Sequence, residues 1–132
     1  MPFVPIVISV VLFVMTAYVL FAALKSFSTR RIDHPFPEIF LILLSNFIMI
    51  LLIVLLYAEL YIYFGDVRGA EERIDYIYFS AITLATVGYG DLVPMEQSRM
   101  AAATQGILGI FILPAIAGEI IFILNRFFRM PL

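Results

Sequence analysis

The sequence predicts an all-α membrane protein with three transmembrane helices and one short re-entrant helix. Hydrophobic residues make up 64% of the 132 residues and charged residues only 14%, a far more apolar composition than that of a soluble domain. Three apolar runs are each long enough to cross a bilayer, which takes about 20 residues. A fourth apolar stretch of about ten residues is too short to cross.

The first apolar run covers residues 3–24 and contains no charged residue. Its start lacks the basic region of a signal peptide, and it lacks the arginines of a voltage-sensing helix. We therefore expect residues 1–38 to form a transmembrane helix and a cytoplasmic linker. That helix is interpreted either as a membrane anchor or as a regulatory or assembly helix.

The second run covers residues 39–61. Pro35 and Pro37 are expected to mark the break before it, because proline cannot donate a backbone hydrogen bond. Glu59, near its outer end, is expected to be solvated or ion-paired. The aromatic residues at this end predict a belt at the outer membrane interface, formed by Tyr57, Tyr61 and Tyr63.

The third run covers residues 100–124 and is predicted to form the inner helix. Gly106 and Gly109 would either allow bending or allow close helix packing. Pro114 lacks an N–H and clashes one turn back, so a kink is expected there.

Between the second and third runs lies the segment 65–97, whose apolar middle, residues 76–85, predicts a re-entrant helix with Asp75 as its N-cap. Irregular backbone at membrane depth is tolerated only inside protein or along a water-filled path. The next six residues provide such backbone, since two glycines can take positive φ. They are Thr86, Val87, Gly88, Tyr89, Gly90 and Asp91.

This hexapeptide and the preceding residues 78–85 resemble the potassium channel pore-domain family, and the resemblance covers residues 39–128. It implies an outer helix, a pore helix with a selectivity filter, and an inner helix. One filter per chain implies a homotetramer, with three identical subunits as partners. The resemblance implies that K⁺ is bound by the Thr86 hydroxyl and by four carbonyls. Those carbonyls belong to Thr86, Val87, Gly88 and Tyr89, with Gly90 completing the filter.

The residues that lie behind the filter in the family are different in this chain. Many relatives have two tryptophans where this chain has Tyr78 and Phe79, and some have a glutamate in place of Ile82. These groups hold the carboxylate that corresponds to Asp91, so only the Tyr78 hydroxyl remains to bind it. Our hypothesis is a loosely braced filter that gates by local collapse. Ala85 replaces a common threonine, whereas Thr83 is retained.

Glu119 is the charged residue within the third run. Ionisable groups inside a membrane usually face a cavity or a partner. In a tetramer, four copies would lie near the inner mouth, beside a stripe that includes Phe111 and Phe122. The functional interpretation is a ring that concentrates cations or binds blockers. The alternative is a carboxylate that reaches the interface or pairs with Arg126.

The distribution of Lys and Arg sets the expected orientation. Basic residues flank the cytoplasmic ends of all three predicted spans: Lys25, Arg30, Arg31, Arg126 and Arg129. The N-terminus would then lie outside and the C-terminus in the cytoplasm, and the expected location is the cell membrane. The outer segment and its edges carry three basic and six acidic residues, a net charge of −3, which would attract cations.

The predicted function is passive, potassium-selective conduction in the cell membrane, with lipid as the surroundings and no cofactor. No catalytic constellation is visible, so an enzyme is not expected, and the net charge of −2 argues against nucleic acid as a partner. Two alternatives stay open. The chain would be a non-conducting regulatory subunit of another channel, or a weakly selective cation channel.

Overall fold

A computed structural model of the protein describes Val7, Val11, Val14 and residues 35–128. The three valines are helical and exposed, and the remainder of the predicted first helix lies outside the described residues. The described part is almost entirely helical. Its elements are α1 Pro35–Phe64, β1 Val67–Arg68, α2 Arg73–Leu84, β2 Val93–Pro94 and α3 Ser98–Phe128.

The first long helix, α1, begins at Pro35 and includes Pro37. The prediction that these prolines break the chain before the helix is wrong. The first four N–H groups of a helix have no intrahelical acceptor, so proline loses nothing there, and its fixed φ suits a helix start. The prolines therefore initiate α1 four residues before the predicted boundary.

The second long helix, α3, runs without interruption from Ser98 through Gly106, Gly109 and Pro114 to Phe128. Both α1 and α3 contain a segment long and apolar enough to cross a membrane, Ile39–Phe64 and Ser98–Asn125. Most of each segment is exposed in the single chain. Two antiparallel helices of this kind, joined by a shorter helix, form the described fold.

The short helix α2 packs against the same ends of α1 and α3 and forms the centre of the core. The Phe79 ring of α2 meets the Tyr61 ring of α1 edge-on, with ring centroids 4.9 Å apart. Tyr57 and Tyr61 are buried, and only Tyr63 is exposed. The predicted belt of three tyrosines is therefore wrong for two of them, because α2 covers the face of α1 on which they lie.

The loops on either side of α2 are held together by a short antiparallel strand pair, in which Val67 lies opposite Pro94. Asp66, just before β1, accepts hydrogen bonds from the N–H groups of Gln97 at 2.7 Å and of Ser98 at 3.2 Å, and from the Ser98 hydroxyl. Its carboxylate thus caps α3 from another part of the chain. A negative group at a helix N-terminus is favourable, and here it ties the end of α1 to the start of α3.

The described fold divides into two parts along its long helices. The filter half comprises residues 50–113, where α2 packs between α1 and α3. The lower half comprises residues 35–49 of α1 and 114–128 of α3.

Candidate functional site

The start of α2 is set by a carboxylate at its third position. Glu72 is the N-cap, and Asp75 lies three residues later, so the prediction of Asp75 as the N-cap is wrong. The Asp75 carboxylate accepts the backbone N–H groups of Glu71 and Glu72 at 2.8 and 2.9 Å. The Glu72 contact and then the Glu71 contact lower the pKa of Asp75 from its usual value. Asp75 therefore stays ionised where the helix dipole favours a negative charge.

The end of α2 leads directly into the predicted filter. The Val87 N–H donates to the Ile82 carbonyl at 3.0 Å, and the Thr86 N–H donates to the Thr83 carbonyl at 3.1 Å. These two bonds form a Schellman motif, in which the residue after the cap adopts a left-handed conformation. That residue is Thr86, with φ of 58°. Ile82 and Thr83, predicted as filter supports, thus contact the filter through their carbonyls.

A left-handed threonine is uncommon. Glycine usually occupies this position of the motif, and a β-branched residue there is strained. Strained backbone persists only where the surrounding structure fixes it, and it often marks a functional site. No glycine signalled the motif in the sequence, so it was not predicted.

The backbone of residues 86–90 alternates in handedness. Positive φ occurs at Thr86, at Gly88 with 53° and at Gly90 with 82°, whereas Val87 and Tyr89 have negative φ. In a regular strand successive peptide groups point to opposite sides. Reversing the handedness at every second residue removes that regular alternation. The two glycines were predicted to have positive φ, and the structure confirms it.

The side chains around the filter segment follow the predicted pattern in part. The Tyr78 hydroxyl donates to the Asp91 carboxylate at 3.0 Å, which is the contact expected from the sequence. Desolvation and then the Asp91 hydrogen bond raise the pKa of Tyr78, so the hydroxyl keeps its donor proton. Phe79 is buried, and Val87 and Tyr89 are 51% and 71% exposed. The described part of the chain therefore leaves at least half of each of these two side chains uncovered.

A buried polar network lies behind α2 and joins all three helices. The Gln105 amide of α3 donates to the Ser80 hydroxyl at 2.7 Å and to the Ser80 carbonyl at 3.1 Å, and its oxygen accepts the Tyr61 hydroxyl at 2.7 Å. The Ser80 hydroxyl donates to the Val54 carbonyl at 2.8 Å. Every side chain of this network is fully buried and paired. Sequence reasoning missed Gln105, although a polar residue inside an apolar run is a signal for an interhelical contact.

One turn further along α3, Gly109 touches the end of α2. A Cβ placed on Gly109 would lie 1.9 Å from the Leu84 carbonyl oxygen and 3.3 Å from the Thr86 side chain, whereas one on Gly106 would meet nothing within 4 Å. Gly109 therefore permits close packing, one of its two predicted roles. Two successive turns of α3 dock on two successive turns of α2, since Gln105 contacts Ser80 and Gly109 contacts Leu84.

The other predicted gating residues lie lower on α3. Pro114 is exposed, and its missing N–H leaves the Ile110 carbonyl without its usual helical donor. Glu119 is only 7% exposed, and its carboxylate accepts the Asn46 side-chain amide of α1 at 2.9 Å. Phe111 and Phe122 are exposed. The structure thus contradicts a solvent-facing ring of Glu119 carboxylates, because Glu119 faces α1 and not the exposed stripe.

Near the C-terminal end of α1, Glu59 forms an exposed ion pair with Arg73 of α2, which is one of the two roles predicted for it. Among the described residues, no group of three His, Cys, Asp or Glu side chains is arranged to hold a metal ion.

The described part of the chain thus contains two apolar helices long enough to cross a membrane, with a short helix and a segment of alternating φ sign between them. A family model described as "Ion channel" matches residues 49–126, more than half of the chain. The chain belongs to this ion channel family. No curated protein and no solved structure matches it significantly.

Proposed function

We propose that this chain is one subunit of a homotetrameric channel that conducts K⁺ passively and selectively across the cell membrane. The observation that carries the proposal is the alternating handedness at Thr86, Gly88 and Gly90. Aligned carbonyls replace the hydration shell of K⁺ in known filters. The carbonyls of Thr86 to Tyr89 and the Thr86 hydroxyl are the proposed ligands.

A tetramer is proposed because one chain supplies only one wall of a path for an ion. At least half of each of the Val87 and Tyr89 side chains is exposed in the described part of the single chain. An adjacent copy of the same chain would cover them and complete the ring of carbonyls. In that arrangement the exposed stripe on α3, which includes Phe111 and Phe122, would line the path below the filter.

The orientation is proposed from the charge distribution. The basic residues cluster at the ends of the predicted spans that lie away from the filter, which favours a cytoplasmic location for those ends. The filter end, with Asp66, Glu71, Glu72 and Asp91, would then face the outside. Its net negative charge would concentrate cations at the mouth.

The reversal potential of purified protein in planar bilayers tests this function. With K⁺ on one side and Na⁺ on the other, we expect a reversal close to the potassium equilibrium potential. A reversal near zero with robust current would contradict selectivity and support a weakly selective cation channel. Protein that assembles as a tetramer but carries no current would contradict conduction and would support a regulatory subunit.

Gly88→Ala is the matched variant for this experiment. Open space surrounds Gly88, so the added methyl group clashes with nothing and acts only through the positive φ. An alanine there is strained by about 1–2 kcal/mol. We expect tetramers that form normally and lose selectivity. An unchanged reversal potential would contradict the role assigned to the backbone.

A further inference from the structure

The lower half of the chain contains one polar contact that the proposed function does not use. Asn46 and Glu119 are 6% and 7% exposed, and the amide of Asn46 donates to Glu119 Oε2 at 2.9 Å. Among the described residues, this is the one side-chain hydrogen bond between α1 and α3 in the lower half. Both groups lie within predicted membrane spans, where ionisable and polar side chains are costly and usually functional.

Glu119 is incompletely paired. Its second oxygen, Oε1, is the one buried side-chain polar atom in the described part of the chain without a hydrogen-bond partner. Two apolar side chains at these positions could hold α1 and α3 together equally well. Replacing a buried polar pair by apolar residues often leaves the stability of the fold unchanged or increases it. The pair is therefore a specific contact whose loss would leave a buried group with no partner.

The Asn46–Glu119 pair lies on the other side of Pro114 from the contacts that attach α3 to α2. Above Pro114, Gln105 and Gly109 fix α3 to α2, so this part of α3 cannot move without displacing the filter. At Pro114 the helix lacks one backbone hydrogen bond. Below it, the described contacts of α3 with α1 include the Asn46–Glu119 hydrogen bond. The lower part of α3 is thus the part that can move without displacing α2.

The packing between α1 and α3 is also incomplete next to the pair. An apolar cavity of about 20 Å³ lies between the two helices. Voids of this kind lose dispersion contacts and weaken the attachment of one helix to the other. The residues that line it are Ile39, Ile42, Leu43, Ile120, Ile123 and Leu124.

We propose that Asn46 and Glu119 form a latch that holds the lower part of α3 against α1 of the same subunit and thereby keeps the inner mouth wide. This inference rests on the proposed function. Glu119 faces α1, whereas the exposed residues of α3, such as Ile121, lie on the opposite side of the helix. Releasing the latch lets α3 pivot at Pro114 towards the neighbouring subunits and narrows the path.

Asn46→Leu tests the latch, because it leaves the Glu119 carboxylate buried without a partner. Interhelical hydrogen bonds in membranes are modest, so we expect the ratio of open to closed time to fall about threefold or more. The reversal potential stays unchanged, because the filter half is untouched. Glu119→Gln retains an oxygen that accepts the Asn46 amide, so it opens like the wild type.

The double variant Asn46→Leu/Glu119→Leu separates a latch from two independent roles. Replacing both partners by apolar groups leaves neither unpaired and is often nearly neutral, so opening recovers towards the wild-type value. Ser45→Ala is the control. The Ser45 hydroxyl donates only to the Ile42 carbonyl of its own helix, and its loss leaves opening unchanged.

A second readout needs no current. The chain has no cysteine, so Ile121→Cys carries a single spin label per subunit, and pulsed electron paramagnetic resonance measures distances between subunits. Asn46→Leu shortens these distances and the double variant restores them. Unchanged distances, raised opening in Asn46→Leu, or additive effects in the double variant would overturn the latch. If the wild type carries no current, the proposed function fails, and the distances still decide the latch.

Discussion

The filter half and the lower half of this chain use the same two helices, but they hold them in different ways. In the filter half, α1 and α3 are joined through α2 by a fully paired network around Gln105 and by the close contact of Gly109. In the lower half, the side-chain hydrogen bond that the described residues show between them is the one from Asn46 to Glu119. This difference supports the inference that one continuous helix, α3, is a rigid scaffold above Pro114 and a movable element below it.

The comparison makes a general prediction about where variants act. Changes in the filter half are expected to alter stability, selectivity or both, since α2 carries the filter. Changes in the lower half are expected to alter opening alone. Variants of the filter half test the first of these statements.

Gly109→Ala is expected to have the largest effect. Its methyl group would lie within 1.9 Å of the Leu84 carbonyl oxygen, and that backbone atom cannot move without displacing Thr86. Overpacking of this kind costs about 1–3 kcal/mol. We expect a lower yield of tetramers by size-exclusion chromatography and a reversal potential shifted away from that of potassium.

Gly106→Ala is the matched control, because the same methyl group there meets nothing within 4 Å. It also raises helix propensity, so tetramer yield and selectivity should equal or exceed those of the wild type. If the two substitutions reduced tetramer yield and selectivity equally, both glycines would act as hinges. That result would contradict the claim that the filter half is rigid.

Gln105→Leu is expected to have the next largest effect. It removes one group of a buried network and leaves the Ser80 and Tyr61 hydroxyls with one partner fewer, which costs about 1–3 kcal/mol. Thermal unfolding of the tetramer should shift to lower temperature. Thr104→Val is the control, because its contact with the Tyr57 hydroxyl is long, at 3.5 Å, and its loss should matter less.

Tyr78→Phe is expected to have a smaller effect that is confined to the filter. It removes the hydrogen bond to Asp91, worth about 0.5–1.5 kcal/mol, and leaves the ring in place. Currents should decay about threefold faster or more during sustained activity, particularly at low K⁺. Tyr63→Phe is the control, because the Tyr63 side chain is 75% exposed, and its currents should decay at the wild-type rate. Currents that never decay under any K⁺ concentration would rule out a loosely braced filter.

The smallest expected effect concerns pH at the start of α2. The pKa of Asp75 is lowered in the folded state by the N–H groups of Glu72 and Glu71. Its contribution to stability is therefore complete above the unfolded value, about 3.9, and is lost as pH falls through the lower folded value. In Asp75→Asn, the thermal stability of the tetramer should lack this acid-dependent step. An identical pH profile in the two proteins would contradict the capping role.

The sequence predicted the features that depend on hydropathy and local backbone chemistry. Long apolar runs gave α1 and α3, a short run gave α2, and Gly88 and Gly90 marked the positions of positive φ. The Tyr78–Asp91 hydrogen bond followed from the resemblance and from the one hydroxyl left behind the filter. These features are encoded within a few consecutive residues or by a known pattern.

The sequence did not predict the contacts that join distant parts of the chain. Asn46 and Glu119 are 73 residues apart, and their rotational positions on two helices were not fixed until the helices packed. Tyr57 and Tyr61 were assigned to a membrane interface because hydropathy cannot distinguish a lipid-facing ring from one covered by α2. Asp66 caps a helix that begins 32 residues later, beyond the reach of local capping rules.

The most direct test of the central claim is the detection of ions at the filter. We would crystallise the assembled protein with Rb⁺ in place of K⁺ and record anomalous diffraction. We expect anomalous peaks on a four-fold axis between the carbonyls of Thr86 and Tyr89. These peaks should be absent when Na⁺ is the only cation. An ordered filter segment that binds no Rb⁺, or carbonyls that face away from the symmetry axis, would contradict the claim that this backbone selects potassium.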